Sequence, residues 1–564
     1  MPHKSRWTVP VQECSLPTFL FRSPTHPLGS KRCFSEAERP GTHYFTRDQF
    51  RLWAQRFALG LQRSKHFQKG DRILLFSGND LFVPVVFMGV LCAGGIFTGA
   101  NPTFVARELA HQLKDSGATY LLCADASLDT GMEAARLAGL NCTERVFVYN
   151  AKVYDGEAEG LKGCRHWSEL IAPPEDARGF QWDDLTGPGE CHKTLALNYS
   201  SGTTGVPKGV EISHKNYISN TVQVAQLATL WPDHEARAAR ASWLCFLPLY
   251  HAYGQTYYLA GAFNRQIPVY IMPKFDFLKF LQYIQEFRIT DLTLVPPIAV
   301  LLAKHPAVVK YDLSSVENVG SGAAPLGREV SEQVERRLGN RLNMKQGWGM
   351  TECTCSLLGW DPNKISTTNS VGEPNANCEA KIMTEDGTEV TTRGPSAVGE
   401  LWCRGPNVMK GYWHNPLATA ETLTTDGWLK TGDIAYVDND GMFFIVDRKK
   451  ELIKVKGNQV APAELEALLL EHSGIADAAV IGMPTEDGDE QPRAFILRQV
   501  GPDGEALTAD EVAKFVEGKV VRYKRLTGGV EFVDAIPKNP SGKILRRKLR
   551  DQTRERMRRE GARL

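Results

Sequence analysis

What most constrains the fold of this chain is an alternation. Short apolar runs at Arg72–Phe76, Thr119–Cys123, Arg145–Tyr149, Trp243–Leu247, Val269–Met272 and Leu292–Val295 are separated by longer stretches with helical spacing. Apolar runs of that length, with no polar face, need cover on both sides, and intervening helices bring successive strands back in parallel. The reading is an α/β fold with a large N-terminal domain of layered α/β sheets. Between residues 360 and 447 the texture shifts to short strands and Gly/Pro/Asn turns, which suggests a β-barrel-like subdomain. After Asp447-Arg448-Lys449-Lys450 it shifts again. A helix is expected from Ala461 to Leu470, with Pro462 in its first turn and Glu464 nearby, then strands at Ala478–Ile481 and Arg493–Leu497. A chain of 564 residues exceeds what one core can hold, so a boundary is placed between 1–447 and a small α+β domain at 448–564.

Several classes are disfavoured early. Leu81–Ala100 carries no charge, like a membrane span, but Pro84 and four glycines interrupt it and it ends in Asn101-Pro102. A buried helix of the α/β core is expected there instead. No apolar run follows the basic residues after Met1, which argues against a secretory signal. Net charge is +1, so no global field recruits nucleic acid or an anionic membrane. The twelve cysteines show neither zinc-ligand nor disulfide spacing, and free thiols are expected.

The densest chemical signal is Tyr199-Ser-Ser-Gly-Thr-Thr-Gly-Val-Pro-Lys208-Gly209. Glycines let backbone N–H groups approach a ligand, hydroxyls add short donors and the lysine adds a cation, which together suit a polyphosphate. It is not a Walker A loop, because Gly209 follows the lysine where Ser or Thr would stand. A flexible surface loop shares this composition. The apolar flanks Leu195–Tyr199 and Val210–Ser213 favour a strand–loop–strand hairpin over a nucleotide.

Three further clusters carry chemistry. Gln346-Gly-Trp-Gly-Met-Thr-Glu352 can lay a ring against a flat base while offering a hydroxyl and a carboxylate, and a carboxylate beside phosphates suits magnesium. An ordinary turn reads the same in isolation. Thr431-Gly-Asp433 opens a hairpin that turns at Asp438–Gly441 and returns to Asp447-Arg448. A carboxylate can accept both hydrogen bonds of a ribose diol, although a surface hairpin with an Asp–Arg pair is the plain alternative. Pro537-Lys-Asn-Pro-Ser-Gly-Lys543-Ile sets a lysine in a Pro/Gly loop, which alone reads as solvated.

Together and in this order, the four clusters resemble the adenylate-forming superfamily of acyl-CoA synthetases, peptide-synthetase adenylation domains and beetle luciferases. The chain is most similar to the 4-coumarate–CoA ligase-like branch, on Leu247-Pro-Leu-Tyr-His251-Ala-Tyr253, Ser321-Gly-Ala-Ala-Pro-Leu326 and Lys456–Glu466. The resemblance implies a two-step reaction: a carboxylate attacks the α-phosphate of ATP to give an acyl-adenylate, and the thiol of coenzyme A then displaces AMP. It implies that Ser200, Ser201, Gly202, Thr203, Thr204 and Lys208 cradle the outer phosphates, and that Gln346, Gly347 and Thr351 complete the nucleotide site. Glu352 would hold Mg2+, Asp433 and Arg448 the ribose. Lys543 would neutralise charge developing during adenylation, with His251 also counted as catalytic. Lys450 would be the hinge of a mobile C-terminal domain. Lys274, Lys456 and Gly457 would contact coenzyme A, and Lys454 and Gln459 would serve the thioester step. ATP, Mg2+ and coenzyme A are therefore expected, and haem, flavin and zinc are not.

The acyl pocket would be lined by His251, Tyr253, Tyr257, Ala323, Ala324, Trp348 and Gly359. Tyr257 stands where plant coumarate ligases carry a small hydroxyl residue, and Gly359 where they carry a bulkier apolar one. Tyr257 could stack on an aryl acid, while Gly359 could open a tunnel for a longer acyl chain. Aryl or arylalkyl acids are favoured over medium-chain fatty acids. An adenylase loading a carrier protein, a luciferase-like oxygenase and a non-catalytic nucleotide-binding module are the competing functions. Ala562-Arg563-Leu564 fits the small–basic–leucine pattern read by peroxisomal import receptors, which places the peroxisome ahead of the cytoplasm.

Overall fold

The computed structural model describes residues 2–200, 207–456, 458–485, 489–539 and 542–559. An eight-stranded sheet runs in the order Gly411–Tyr412, Lys208–Ser213, Thr194–Ser200, Ile96–Ala100, Arg72–Phe76, Tyr120–Ala124, Val146–Tyr149, Arg165–His166. Pairing is parallel from Thr194–Ser200 onward and antiparallel at the other end. Successive side chains of one strand feed different cores. Ile73 and Leu75 pack into the main cluster, Leu74 and Phe76 into a second one with Leu109, Leu113 and Leu121. That is the two-faced burial the unbroken apolar run anticipated.

A seven-stranded sheet, ordered Lys345–Gln346, Asn318–Ser321, Asp291–Leu294, Trp243–Cys245, Val269–Ile271, Arg32–Glu36, Tyr44–Thr46, forms the second layer. It is parallel except for its last hairpin. A five-stranded antiparallel sheet follows, built from His3–Lys4, Glu379–Met383, Gly399–Arg404, Leu429–Val437 and Phe443–Arg448. This is the barrel-like region, with an edge strand supplied unexpectedly by the first residues of the chain.

One expectation is corrected here. Leu81–Ala100 is not a single helix: the helix Val83–Cys92 ends at Ala93, and Ile96–Ala100 is a buried strand. Gly94, at φ 81°, makes the turn between them. Among the described residues no helix is long and apolar enough to cross a membrane. The twelve cysteines are free, and most are buried.

Beyond Arg448 the chain forms a hairpin (Ile453–Val455 with Asn458–Val460), the helix Pro462–Leu470 and a three-stranded sheet of Ile475–Pro484, Glu490–Arg498 and Val530–Phe532. These pack around their own core of Ile453, Leu465, Leu469, Val480 and Ile496. Hydrogen bonds help to dock this layer on the rest. Lys304 Nζ donates to the carbonyls of Leu470 (2.9 Å) and Ile475 (2.7 Å), and Asp447 Oδ2 accepts from the N–H of Ala463 at 2.9 Å.

Candidate functional site

The parallel strands of the second sheet end side by side, and their carboxyl ends deliver the loops that carry most of the expected residues. Asn318–Ser321 leads into Gly322–Leu326, Lys345–Gln346 into Gly347–Glu352, and Trp243–Cys245 toward His251. Ligands of open parallel sheets lie at such edges, where strand order changes and loops diverge.

On the phosphate side, Thr194–Ser200 and Lys208–Ser213 pair antiparallel with Lys208 opposite Ser200. The hairpin expected around the glycine-rich loop therefore forms, while Ser201, Gly202, Thr203 and Thr204 lie outside the described residues. Lys208 Nζ stands 5.0 Å from the centroid of the Tyr412 ring, and the Tyr412 hydroxyl donates to Glu352 Oε1 at 2.9 Å. Glu352 is only 3% exposed. Nothing in the sequence marked Tyr412; it reaches the site because Gly411–Tyr412 pairs with the strand that begins at Lys208. Tyr199, just before the loop, donates to Asp115 at 2.6 Å.

The pair expected to grip a ribose is a register effect. Asp433 and Arg448 face one another across the hairpin Leu429–Val437/Phe443–Arg448, with Arg448 Nε 3.6 Å from Asp433 Oδ1. Trp348 Nε1 donates to Asp433 Oδ2 at 2.8 Å. Trp348 was expected in the acyl wall; it lines the cavity and also orients the Asp433 carboxylate, joining the cavity to the Asp433–Arg448 pair. Burial raises the Asp433 carboxyl, while Arg448, Trp348 and Lys543 hold it back toward the charged form. Gln346 acts through the backbone, accepting from the N–H of Leu326 (3.0 Å) and donating to its carbonyl (2.8 Å), so it shapes the loop Gly322–Leu326. Ala323 in that loop has φ 72°. Ala323 lines the cavity whereas Ala324, expected beside it, stands outside the wall, because the left-handed backbone turns successive Cβ atoms apart.

Lys543 arrives at the same place from the C-terminal layer. A Cβ built on Gly542, whose φ is 84°, would lie 2.7 Å from Pro297 Cδ, so this loop is pressed against the larger part of the chain. Burial and the Arg448 guanidinium pull the Lys543 ammonium down to about 8, against the opposing pull of Glu451 and Asp433. The residues implied in the second step stand elsewhere. Lys454, Gln459 and Lys456 are exposed on the hairpin Ile453–Val460, Lys274 is exposed, and Lys450 lies in an exposed turn. Gly457 lies outside the described residues, as do Ala562, Arg563 and Leu564.

The residues expected to hold the acyl group, Ala324 apart, line a cavity of about 250 Å³ that also touches Gly347, Trp348 and Thr351. His251 caps the short helix Ala252–Gly254, its Nδ1 accepting from the N–H of Tyr253 at 3.3 Å. Burial pulls the imidazole down to about 4. It is therefore neutral at physiological pH, and with Nδ1 accepting, the ring proton sits on Nε2. A π-helical turn, Gln255–Gly261, follows and presents Tyr257 edge-on to Tyr253, with ring centroids 5.0 Å apart at 82°. Such turns re-aim a helix face and recur at ligand sites. The room expected at Gly359 is already filled: a Cβ there would lie 2.7 Å from Asn375 Oδ1 and 2.9 Å from Leu227 Cδ1. Gly359 does line the cavity, and these two side-chain ends occupy the space that a larger residue there would take.

Among the described residues no cluster of three metal-ligating side chains occurs. A single buried carboxylate, Glu352, held by a phenol beside a lysine, matches what a nucleotide-borne Mg2+ needs, since phosphates and water complete its octahedron.

Comparison with known proteins agrees with this geometry. A model of the family described as AMP-binding enzyme matches residues 27–413, and one described as AMP-binding enzyme C-terminal domain matches 464–543. The chain is 39% identical over 528 residues to 4-coumarate:CoA ligase 1 of Petunia hybrida, covering 90% of this chain and 89% of that protein. It is 38% identical over 551 residues to 4-coumarate–CoA ligase 2 of Petroselinum crispum, covering 95% and 93%. The fold is similar to ATP-bound MatB from Rhodopseudomonas palustris, with TM-score 0.81 at 24% identity over 96% of this chain and 99% of that one. It is also similar to the anthranilate CoA ligase AuaEII in complex with anthranoyl-AMP, with TM-score 0.80 at 24% identity over 96% and 98%.

Proposed function

The chain belongs to the AMP-binding enzyme family and is an AMP-forming acyl-CoA ligase, and on that premise we propose that its acid is aryl or arylalkyl and that the arrangement described is the one that forms the acyl-adenylate. One observation carries the second point. Lys543 is half-buried and close enough to Asp433 and Arg448 to feel both charges, while Lys454, Gln459 and Lys456 face solvent.

The chemistry follows from charge. A carboxylate oxygen attacks the α-phosphorus of ATP, the bond to the bridging oxygen breaks, and pyrophosphate leaves with the electron pair. Nucleophile and electrophile are both anionic, so preplaced donors and cations lower the barrier. Asp433 and Arg448 hold the ribose, and Thr351 faces the α-phosphate. Lys208 and the loop before it meet the outer phosphates, and Lys543 neutralises charge on the carboxylate and α-phosphate oxygens. Glu352 would hold a magnesium ion, which supplies further charge neutralisation when bound. In the second step a coenzyme A thiolate attacks the acyl carbonyl and AMP departs. For that step the C-terminal layer turns about Lys450, withdrawing Lys543 and presenting Lys454 and Gln459.

Support for an aryl acid is threefold. Tyr253 and Tyr257 form an edge-to-face pair on the cavity, the space at Gly359 is packed by Leu227 and Asn375, and the similar plant enzymes are named for an aryl acid. The test is ATP consumption across a panel of acids, with and without coenzyme A, on wild type and Lys543→Ala. Adenylation should fall by about a hundredfold or more in the variant, while supplied acyl-adenylate is still converted to thioester. A wild type that makes adenylate but never a coenzyme A thioester would refute the acceptor.

A further inference from the structure

Beyond the two tyrosines the acyl cavity does not close on an apolar wall. Arg237, Trp243, Arg265, Asp291, Glu317 and Lys345 also line it, and Trp243 and Asp291 open the parallel strands whose carboxyl ends carry the other side of the cavity. Most of these groups already have hydrogen-bond partners. Arg237 bonds Asp233 at 2.8 Å and Glu317 at 3.3 Å. Lys345 Nζ donates to the carbonyl of Pro362, and Asp291 accepts from Thr290 Oγ1 (2.6 Å) and Asn318 Nδ2 (3.2 Å). Arg237 and Glu317 cancel, which leaves Arg265 and Lys345 against Asp291.

Arg265 differs from its neighbours. Among the described residues its guanidinium donates no hydrogen bond and forms no ion pair; Cζ lies 5.2 Å from the centroid of the Trp243 ring. Burial holds it below the usual guanidinium range, with Asp291 and Tyr257 opposing. Trp243 is 4% exposed and its indole N–H also lacks a partner. A half-buried guanidinium on the cavity wall, with its fork of donors unused, is completed by something that enters the cavity. Both unused groups are donors, so the missing piece is an acceptor. A guanidinium matches a carboxylate in bidentate geometry, and more strongly than a neutral oxygen.

We propose that the acid activated here carries a second anionic acceptor, a carboxylate, at the end of its arylalkyl frame remote from the reacting carboxyl, and that Arg265 receives it beside Trp243. Arg265 is thus a specificity residue, placed by the turn that follows the π-helical segment. The assignment rests on the ligase reading above.

The experiment compares ATP–pyrophosphate exchange for matched acids on one arylalkyl frame ending in carboxylate, carboxamide or methyl, using wild type, Arg265→Met and Arg265→Lys. Wild type should favour the carboxylate over the methyl compound by about ten- to a hundredfold in kcat/KM, the range of a charged hydrogen bond lost in a buried site. Arg265→Met should erase or invert that preference while keeping turnover of the methyl compound, and Arg265→Lys should retain part of it. A wild type indifferent to the terminal group, or favouring methyl, overturns the proposal, as does an Arg265→Met variant that slows both acids equally. A preference for carboxamide equal to that for carboxylate overturns the anionic assignment. Absence of exchange with every acid in wild type would instead bring down the ligase reading, and this assignment with it.

Discussion

Replacing Gly542 with alanine should separate the two half-reactions. Gly542 sits at φ 84°, its N–H donates to the carbonyl of Asn539 at 2.8 Å, and the N–H of Lys543 donates to Asn539 Oδ1 at 2.8 Å. This turn is local and travels with the C-terminal layer. An alanine at positive φ costs about 1–2 kcal/mol wherever that layer stands. The contact is different: the new Cβ would lie 2.7 Å from Pro297 Cδ and 3.1 Å from Pro297 Cγ, and Pro297 belongs to the larger part of the chain. Overpacking of that kind costs about 1–3 kcal/mol, and only while Lys543 is in the site. The adenylating arrangement should then lose roughly 5–150-fold in population relative to the other. ATP–pyrophosphate exchange at saturating acid should fall by up to that factor, while single-turnover conversion of supplied acyl-adenylate with coenzyme A should hold its rate or rise slightly. Equal losses in both steps, or a larger loss in the thioester step, would refute the claim that this contact belongs to adenylation alone.

Two further outcomes follow from the same geometry. Trp348→Phe removes the 2.8 Å donor to Asp433 Oδ2 while keeping a ring in the wall. A bond to a buried carboxylate is worth about 1.5–3 kcal/mol, so KM for ATP should rise about tenfold or more, with a smaller change for the acid; equal changes would mean the ring matters only as packing. Lys543, pulled down to about 8, is charged below that pH and neutral above it in the free enzyme. The kcat/KM of adenylation should therefore fall as pH rises through about 8, whereas kcat, measured with phosphate bound beside the ammonium, should hold to higher pH. Lys543→Arg, which stays charged, should abolish that alkaline limb whatever its absolute rate, and a limb that survives belongs to another group.

The extent to which this architecture could be read in advance follows from the range of the forces involved. Strands Arg72–Phe76 and Val269–Ile271, the hairpin flanking the glycine-rich loop and the helix Pro462–Leu470 are written in local periodicity, because a pleat repeats every two residues and a helix about every 3.6. The pairing of Asp433 with Arg448 was legible for a similar reason: a recognisable turn sets the register of its hairpin. Leu81–Ala100 was misread because burial on all sides erases periodicity, leaving only Gly94 to mark the break between helix and strand.

The tertiary structure alone decided the contacts between distant segments. Trp348 bonds Asp433, Tyr412 bonds Glu352, and Gln346 clamps the backbone of Leu326, yet no spacing in the chain records any of these. Gly359 read as an opening until Leu227 and Asn375 were found in its space. Arg265 carried no mark in the sequence, and only the fold sets it on the cavity wall beside Trp243. Sequence determines which chemical groups exist and which local shapes they favour. Packing determines which of them share a cavity, where a group left without a partner says most about what binds.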